Sequence, residues 1–239
     1  MLKMMIVGRR RGGMTVAQLH HYMTDVHGAA VLACIATDPA LTPQRYVQNH
    51  VFDASFRVPG PTPDPLAVSR DFVTQVWFNS PEQAAAAMQA PFYKEVLQPD
   101  EDQFVDQPSV IKLPVVPQNL YSAGRTLGIF KLFIFHRCAA NVSVDSLADT
   151  TLALWQPLLG LASSGIDAIV RNLPVQRPGA TPATVNLVDE VWLGDEASAR
   201  QLCAQWQAMM DDARLGPWVT PGSGFVLLAR ERVMFAGRD

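Results

Sequence analysis

The eleven residues from Gln18 to Gly28, Q-L-H-H-Y-M-T-D-V-H-G, hold three of the chain's five histidines together with Tyr22 and Asp25. An imidazole, with an unperturbed pKa of about 6.5, can ligate a metal or move a proton near neutral pH. Spacing separates these chemistries. On a helix His20 and His27 lie two turns, about 10 Å, apart, too far for one ion's ligand shell. Helical zinc sites use histidines at i and i+4, a pair this stretch lacks, so no metal is expected. His21 and Asp25 are four apart and read as a surface pair on the helix flank. His27 shares a face with Leu19, Met23, Ala30 and Val31, so it is expected to point inward. There it is either a hydrogen-bonded core histidine or the acid-base group for a bound molecule.

Four further residues could line such a site. The Tyr22 phenol, at the edge of the apolar stripe, either donates to a substrate oxygen or packs. Asn49 and Arg9, on neighbouring strands, either polarise a carbonyl or satisfy backbone at strand ends, and Trp77 either stacks on a substrate or fills the core.

The elements that must position these residues follow from pattern. Lys3 to Arg9 reads as a strand, and Thr15 with Gln18 forms a capping box that opens a helix running past Gly28 to Thr37. Strands follow at Arg45 to Val51 and Asp71 to Phe78, with a loop at 60–65 between them. Ser80-Pro81 opens a second helix through the alanine run, and Pro108 to Val116 reads as a fourth strand.

The second half repeats this order. Lys131, Arg137, Ser143 and Leu147 each stand 128 positions after Lys3, Arg9, Thr15 and Leu19. Ala168 to Asn172 echoes Tyr46 to Asn49, and Glu190 to Leu193 echoes Gln75 to Phe78. A helix from Glu196 to Ala213 and a strand from Gly224 to Met234 complete the copy. The chain therefore reads as two β-α-β-β-α-β repeats, residues 1–117 and 128–239, joined through Pro117 to Thr126. This order is the ferredoxin-like α+β plan, a four-stranded antiparallel sheet with both helices on one face. In the second copy Trp155 replaces His27, Ala153 replaces Asp25 and Thr150 replaces Tyr22, which assigns any chemistry to the first.

Composition excludes several classes. With a formal charge of −3 and one short basic cluster, Arg9-Arg10-Arg11, no nucleic-acid partner is expected. No apolar run approaches the roughly 20 residues of a membrane span. Three widely spaced cysteines, Cys34, Cys138 and Cys203, read as reduced thiols in a cytoplasmic protein. The glycines around Gly8 to Gly13 and at Gly222-Ser223-Gly224 lack a nucleotide-binding pattern.

The strand ending in Arg9-Arg10 resembles the EthD family, as do Met14-Thr15-x-x-x-Leu19-x-x-Tyr22-x-x-x-x-His27-Gly28, the strand Val76-Trp77-Phe78 and the acidic run Asp100 to Asp106. That family belongs to the dimeric α+β barrel superfamily. The resemblance implies an intramolecular barrel built from the two ferredoxin-like repeats, and it favours a site role for the histidine at the position of His27. Barrels of this kind include cofactor-free monooxygenases, isomerases, cyclases, decarboxylases, dehydratases and haem enzymes.

The resulting expectation is an enzyme that needs no cofactor and acts on a small, apolar, oxygenated molecule by acid-base chemistry at His27, of lyase or isomerase type. The alternatives are a cofactor-free or haem-assisted monooxygenase and a non-enzymatic small-ligand carrier; assembly as a homo-oligomer stays open.

Overall fold

A computed structural model describes residues 1–56, 69–159, 165–175, 184–211, 215–220 and 223–237. The expected loop at 60–65, Gly222 and the expected helix end at Ala213 lie outside the described residues. The chain divides into two units: Met1–His50 with Arg70–Val115 and Glu231–Asp239, and Val51–Ser69 with Val116–Arg230.

In the first unit, strand β1 (Leu2–Gly8) pairs antiparallel with β3 (Phe72–Phe78) on one side and β4 (Ile111–Ser122) on the other. Strand β2 (Arg45–Phe56) pairs with the far edge of β3, giving the order β4-β1-β3-β2. Side chains alternate across a pleated sheet, so Met4, Ile6, Phe72, Thr74, Val76 and Phe78 share one face and Met5, Val7, Val73, Gln75 and Trp77 the other. Helices cover the first of these faces. Leu19 and Met23 pack with Phe72, Phe104 and Val105, while Ala84 and Ala87 pack with Met4 and Phe78.

Local chemistry sets the helix boundaries. Thr15 and Gln18 form the capping box at the start of α1 (Val16–His21), with the Gln18 N–H donating to Thr15 Oγ1 and the Thr15 N–H to Gln18 Oε1. Ser80 caps α3 (Pro81–Ala87), with proline in the first turn where its missing N–H costs nothing. The expected single first helix is instead α1, a π-helical turn (Tyr22–His27) and α2 (Gly28–Thr37). The second helical stretch ends with the alanine run, and Pro91 separates it from another π-helical turn (Tyr93–Leu97) and α4 (Gln98–Phe104). Proline alone marks no domain linker: β4 continues through Pro117 to Ser122, into the segment expected to be a connector.

The second unit contains β5 (Phe130–His136), α5 (Val144–Leu159), β6 (Ile166–Pro174), β7 (Leu187–Leu193), α6 (Glu196–Asp211) and β8 (Phe225–Phe235). Its strand order, β8-β5-β7-β6, repeats that of the first unit. Its core is denser, with Trp155, Trp206, Leu132, Ile134 and Val191 in one buried cluster.

Candidate active site in the first unit

The π-helical turn is the feature that assembles the site. In a regular α-helix, Tyr22 and His27 would project about 140° apart, at 3.6 residues per turn. Here the Gly28 N–H reaches back five residues to the Met23 carbonyl, and both side chains reach one acceptor, Asp100 on α4. The Tyr22 hydroxyl donates to Asp100 Oδ1 at 2.5 Å, and His27 Nδ1 lies 2.8 Å from Asp100 Oδ2. The same turn is braced from the sheet, where Gln48 Nε2 donates to the Met23 carbonyl at 2.5 Å. Gly28 is required at this packing: a Cβ there would lie 2.7 Å from the Met23 carbonyl oxygen and 2.8 Å from Met234.

This geometry determines the protonation pattern of the imidazole. A carboxylate only accepts, so Nδ1 carries the hydrogen and Nε2 keeps the lone pair of a base. Burial and the Asp100 contact push the Tyr22 phenol up to about 12, so it stays a donor. The His27 side chain is 13% exposed and that of Asp100 19%, which shields the pair without sealing it. The Phe104 ring packs against both Tyr22 and His27, at centroid distances of 5.2 and 4.9 Å.

His27 lines a cavity of about 380 Å³ between these helices and the sheet. The volume is within the range that holds small organic ligands. Its walls are mostly apolar, drawn from Met4, Ile6, Phe72, Val76 and Phe78 on the sheet and from Val31 and Phe92 on the helical side. Glu101, Tyr93, Gln107 and Lys112 add a polar patch on the wall. The Tyr93 hydroxyl donates to Glu101 Oε1 at 3.4 Å. Burial raises the Glu101 carboxyl above its usual range, opposed by the charges of Lys112 and His27 and by hydrogen bonds from Tyr93 and Gln107. Burial likewise pushes Tyr93 and Tyr46, another lining residue, up to about 12.

Of the residues singled out from sequence, His27 lines the cavity, and Tyr22 holds Asp100 without lining it. Asn49 and Trp77 lie on the opposite face of the sheet. Asn49 Nδ2 donates to the Val73 carbonyl and to Gln75 Oε1, and the Trp77 ring receives Lys3 and Arg45 over its face. Arg9 lies beyond the end of β1, with Nε 3.4 Å from Asp106. None of these three lines the cavity. His21 and Asp25 do form the exposed pair, at 2.7 Å. His20 stacks on His50, with ring centroids 4.4 Å apart. Residue spacing does not pair Asp100 or Glu101 with His27, although the acidic run that contains them is part of the family resemblance.

In the second unit the corresponding side chains make a packed core. Trp155 stacks on Trp206 at 4.6 Å and donates through Nε1 to Asp189 Oδ2 at 2.7 Å. Asp189 also takes a two-pronged hydrogen bond from Arg171, whose other donors reach Thr151 and the Ala148 carbonyl. The repeat alignment pairs Asp189 with Thr74, Arg171 with Gln48 and Trp155 with His27, so the uncharged Thr74 and Gln48 give way here to a buried ion pair and the imidazole to an indole.

Residues 11–108 match the EthD domain model. No curated protein matches the sequence. Among solved structures, an anthrone oxidase-like protein has a TM-score of 0.64 at 13% identity, covering 98% of this chain and 93% of its own. A protein provisionally named a chlorite dismutase gives 0.56 at 11%, over 98% and 96%. One from Lactobacillus acidophilus NCFM, provisionally named a monooxygenase, gives 0.51 at 6%, over 99% and 96%. These likenesses show the fold, which is the α+β, dimeric α+β barrel type with two ferredoxin-like repeats in one chain. His27, Asp100 and Glu101 all fall within the residues matched by the EthD model, and Trp155 falls outside them.

Of the groups a haem would need, the described lining residues offer His27 as a nitrogen ligand and, beside Glu101, Lys112 as a cation for a propionate. Among the described residues, no group of three or more His, Cys, Asp or Glu could hold a metal ion. No described helix is long and apolar enough to cross a membrane.

Proposed function

We propose that the first unit is an enzyme that removes a proton from a small, largely apolar, oxygenated molecule, with His27 as the base and Asp100 as its positioning partner. The observation that carries this reading is the 2.8 Å contact between His27 Nδ1 and Asp100, which leaves Nε2 as a base on the wall of an apolar cavity. The substrate is mostly hydrocarbon because the walls are, and it carries oxygen because the few polar groups need partners. Proton removal of this kind opens lyase and isomerase reactions, in which the chain's own residues supply the chemistry.

The same step could begin an oxygenation, with the carbanion meeting dioxygen so that a CH2 becomes C=O and water leaves. The names of the fold neighbours, an anthrone oxidase-like protein and a provisional monooxygenase, favour this second reading. A panel of aromatic ketones and phenols, assayed for turnover with an oxygen electrode, tests both. The first reading expects turnover without oxygen uptake, the second expects stoichiometric uptake, and both expect His27→Ala to abolish turnover. A fully active His27→Ala protein would refute both.

A further inference from the structure

The cavity holds a second carboxyl that the His27–Asp100 pair does not use. Glu101 follows Asp100 on α4, so one carboxyl is committed to His27 and Tyr22 while the next belongs to the cavity wall. The two have opposite surroundings. Asp100 accepts at both oxygens, at 2.5 and 2.8 Å, as suits an acceptor-only carboxylate. Glu101 takes a long contact from Tyr93, at 3.4 Å, and a hydrogen bond from Gln107, amid mostly apolar walls.

We propose that Glu101 is a catalytic acid lining the same cavity as His27, donating its proton to the carbonyl oxygen of an apolar ketone while His27 takes a proton from the adjacent carbon. The inference rests on the reading of His27 as the base. In this step the C–H pair becomes the new C=C bond, the C=O π pair forms the O–H bond with the Glu101 proton, and an enol results. Glu101 is left as carboxylate and His27 as imidazolium. The reverse step returns the enol proton to Glu101 and delivers a proton from His27 to carbon, so each cycle in D2O can exchange hydrogen for deuterium.

The groups that face Glu101 come from several elements: Tyr93 from the second π-helical turn, Lys112 from β4, Tyr46 from β2, His27 from the first π-helical turn, and Gln107. Of these, Lys112 favours the ionised carboxyl through its charge, as His27 does once it has taken up a proton, and burial is the larger effect. Paired titratable groups whose surroundings favour opposite protonation states are the usual arrangement for acid and base on one substrate.

The test uses 2-tetralone, an apolar aryl ketone with acidic α-hydrogens, in D2O. Exchange at the α-carbon is followed by proton NMR from pH 5 to 9 for wild type, Glu101→Gln, Glu101→Asp and His27→Ala. The wild type is expected to show a rate that falls toward high pH as Glu101, held above the usual carboxylate range by burial, loses its proton. Glu101→Gln, whose amide donates a hydrogen bond but transfers no proton, should be slower by about 10²-fold and lose the high-pH limb. Glu101→Asp should keep that limb at reduced rate. Binding of 2-naphthol, which resembles the enol, should change less than about 3-fold in Glu101→Gln, separating proton transfer from structural damage. An infrared carboxylic-acid band that persists to higher pH than that of a free glutamate, present in the wild type and missing in Glu101→Gln, is the second readout.

A Glu101→Gln protein with the wild-type profile, or a Glu101 that titrates in the usual carboxylate range, would overturn the proposal while leaving His27 as the base. A wild type that exchanges no faster than buffer would overturn the ketone assignment, and a His27→Ala protein with wild-type exchange would overturn the underlying reading itself.

Discussion

Replacing Asp100 with alanine removes the acceptor shared by Tyr22 and His27, and its consequences can be measured without knowing the substrate. In the wild type the carboxylate fixes the hydrogen on Nδ1 of His27, at 2.8 Å, and takes the Tyr22 hydroxyl at 2.5 Å. Hydrogen bonds to charged groups contribute about 1.5 to 3 kcal/mol each, but Asp100 is partly exposed, and solvent screening reduces the pair to about 2 kcal/mol together. For a protein of this size that corresponds to a fall in Tm of roughly 4 to 8 °C. The tautomer should respond more sharply than stability. Nitrogen-15 NMR of labelled histidine should show the Nδ1–H form of His27 alone in the wild type and a mixture of tautomers in Asp100→Ala. Residues that orient a functional imidazole typically matter by about 10- to 100-fold, and a similar loss of turnover is expected. An unchanged His27 spectrum in Asp100→Ala would refute the argument that this carboxylate sets the base.

Three further outcomes follow from the packing. Trp155→Phe keeps most of the ring but leaves Asp189 Oδ2 without its indole donor, and should cost about 1 to 3 kcal/mol in urea unfolding; a change too small to measure would contradict a bond that matters. Gly28→Ala must move the Met23 carbonyl, 2.7 Å from the new Cβ, and should lower stability by about 1 to 3 kcal/mol; an unchanged or raised melting temperature would contradict the close packing of the π-helical turn. Burial, with the nearby His20 and Arg232, lowers the His50 imidazole to about 4, so the unfolded chain takes up its proton first as the pH falls. Stability from this residue is therefore complete above about pH 6.5 and is lost toward pH 4, with a limiting slope of about 1.4 kcal/mol for each pH step of one. His50→Gln should flatten that part of the urea-midpoint profile, and a profile identical to wild type would refute the assignment.

The β-α-β-β-α-β order is legible in the sequence because two independent copies carry the same strand and cap signals at matching offsets. The helix-facing position of His27 follows from its spacing to Leu19, Met23 and Val31. The site itself is less legible, for physical reasons. Asp100 is 73 residues from His27, and a helical wheel places Tyr22 away from it, because a π-helical turn is an i to i+5 bond that residue spacing does not announce. Pattern alone groups Asn49 and Trp77 with the site because both faces of the sheet are apolar, so sequence alternation does not say which face borders the helices. The register resolves it: Asn49 pairs opposite Val73 and shares the face of Gln75, while the cavity is lined by Phe72, Thr74 and Val76. The acidic run from Asp100 carries a signal, but a partner across 73 residues can be assigned only when α4 is placed against the π-helical turn.

The central claim is that His27 is a base that takes a proton from a molecule bound in the first-unit cavity. Deuterium incorporation at the α-carbon of 2-tetralone, compared between the wild type and His27→Ala at equal protein concentration, tests it most directly. The account predicts exchange well above the buffer rate in the wild type and a return to the buffer rate in His27→Ala, with the fold of the variant retained. Equal exchange by both proteins would contradict it.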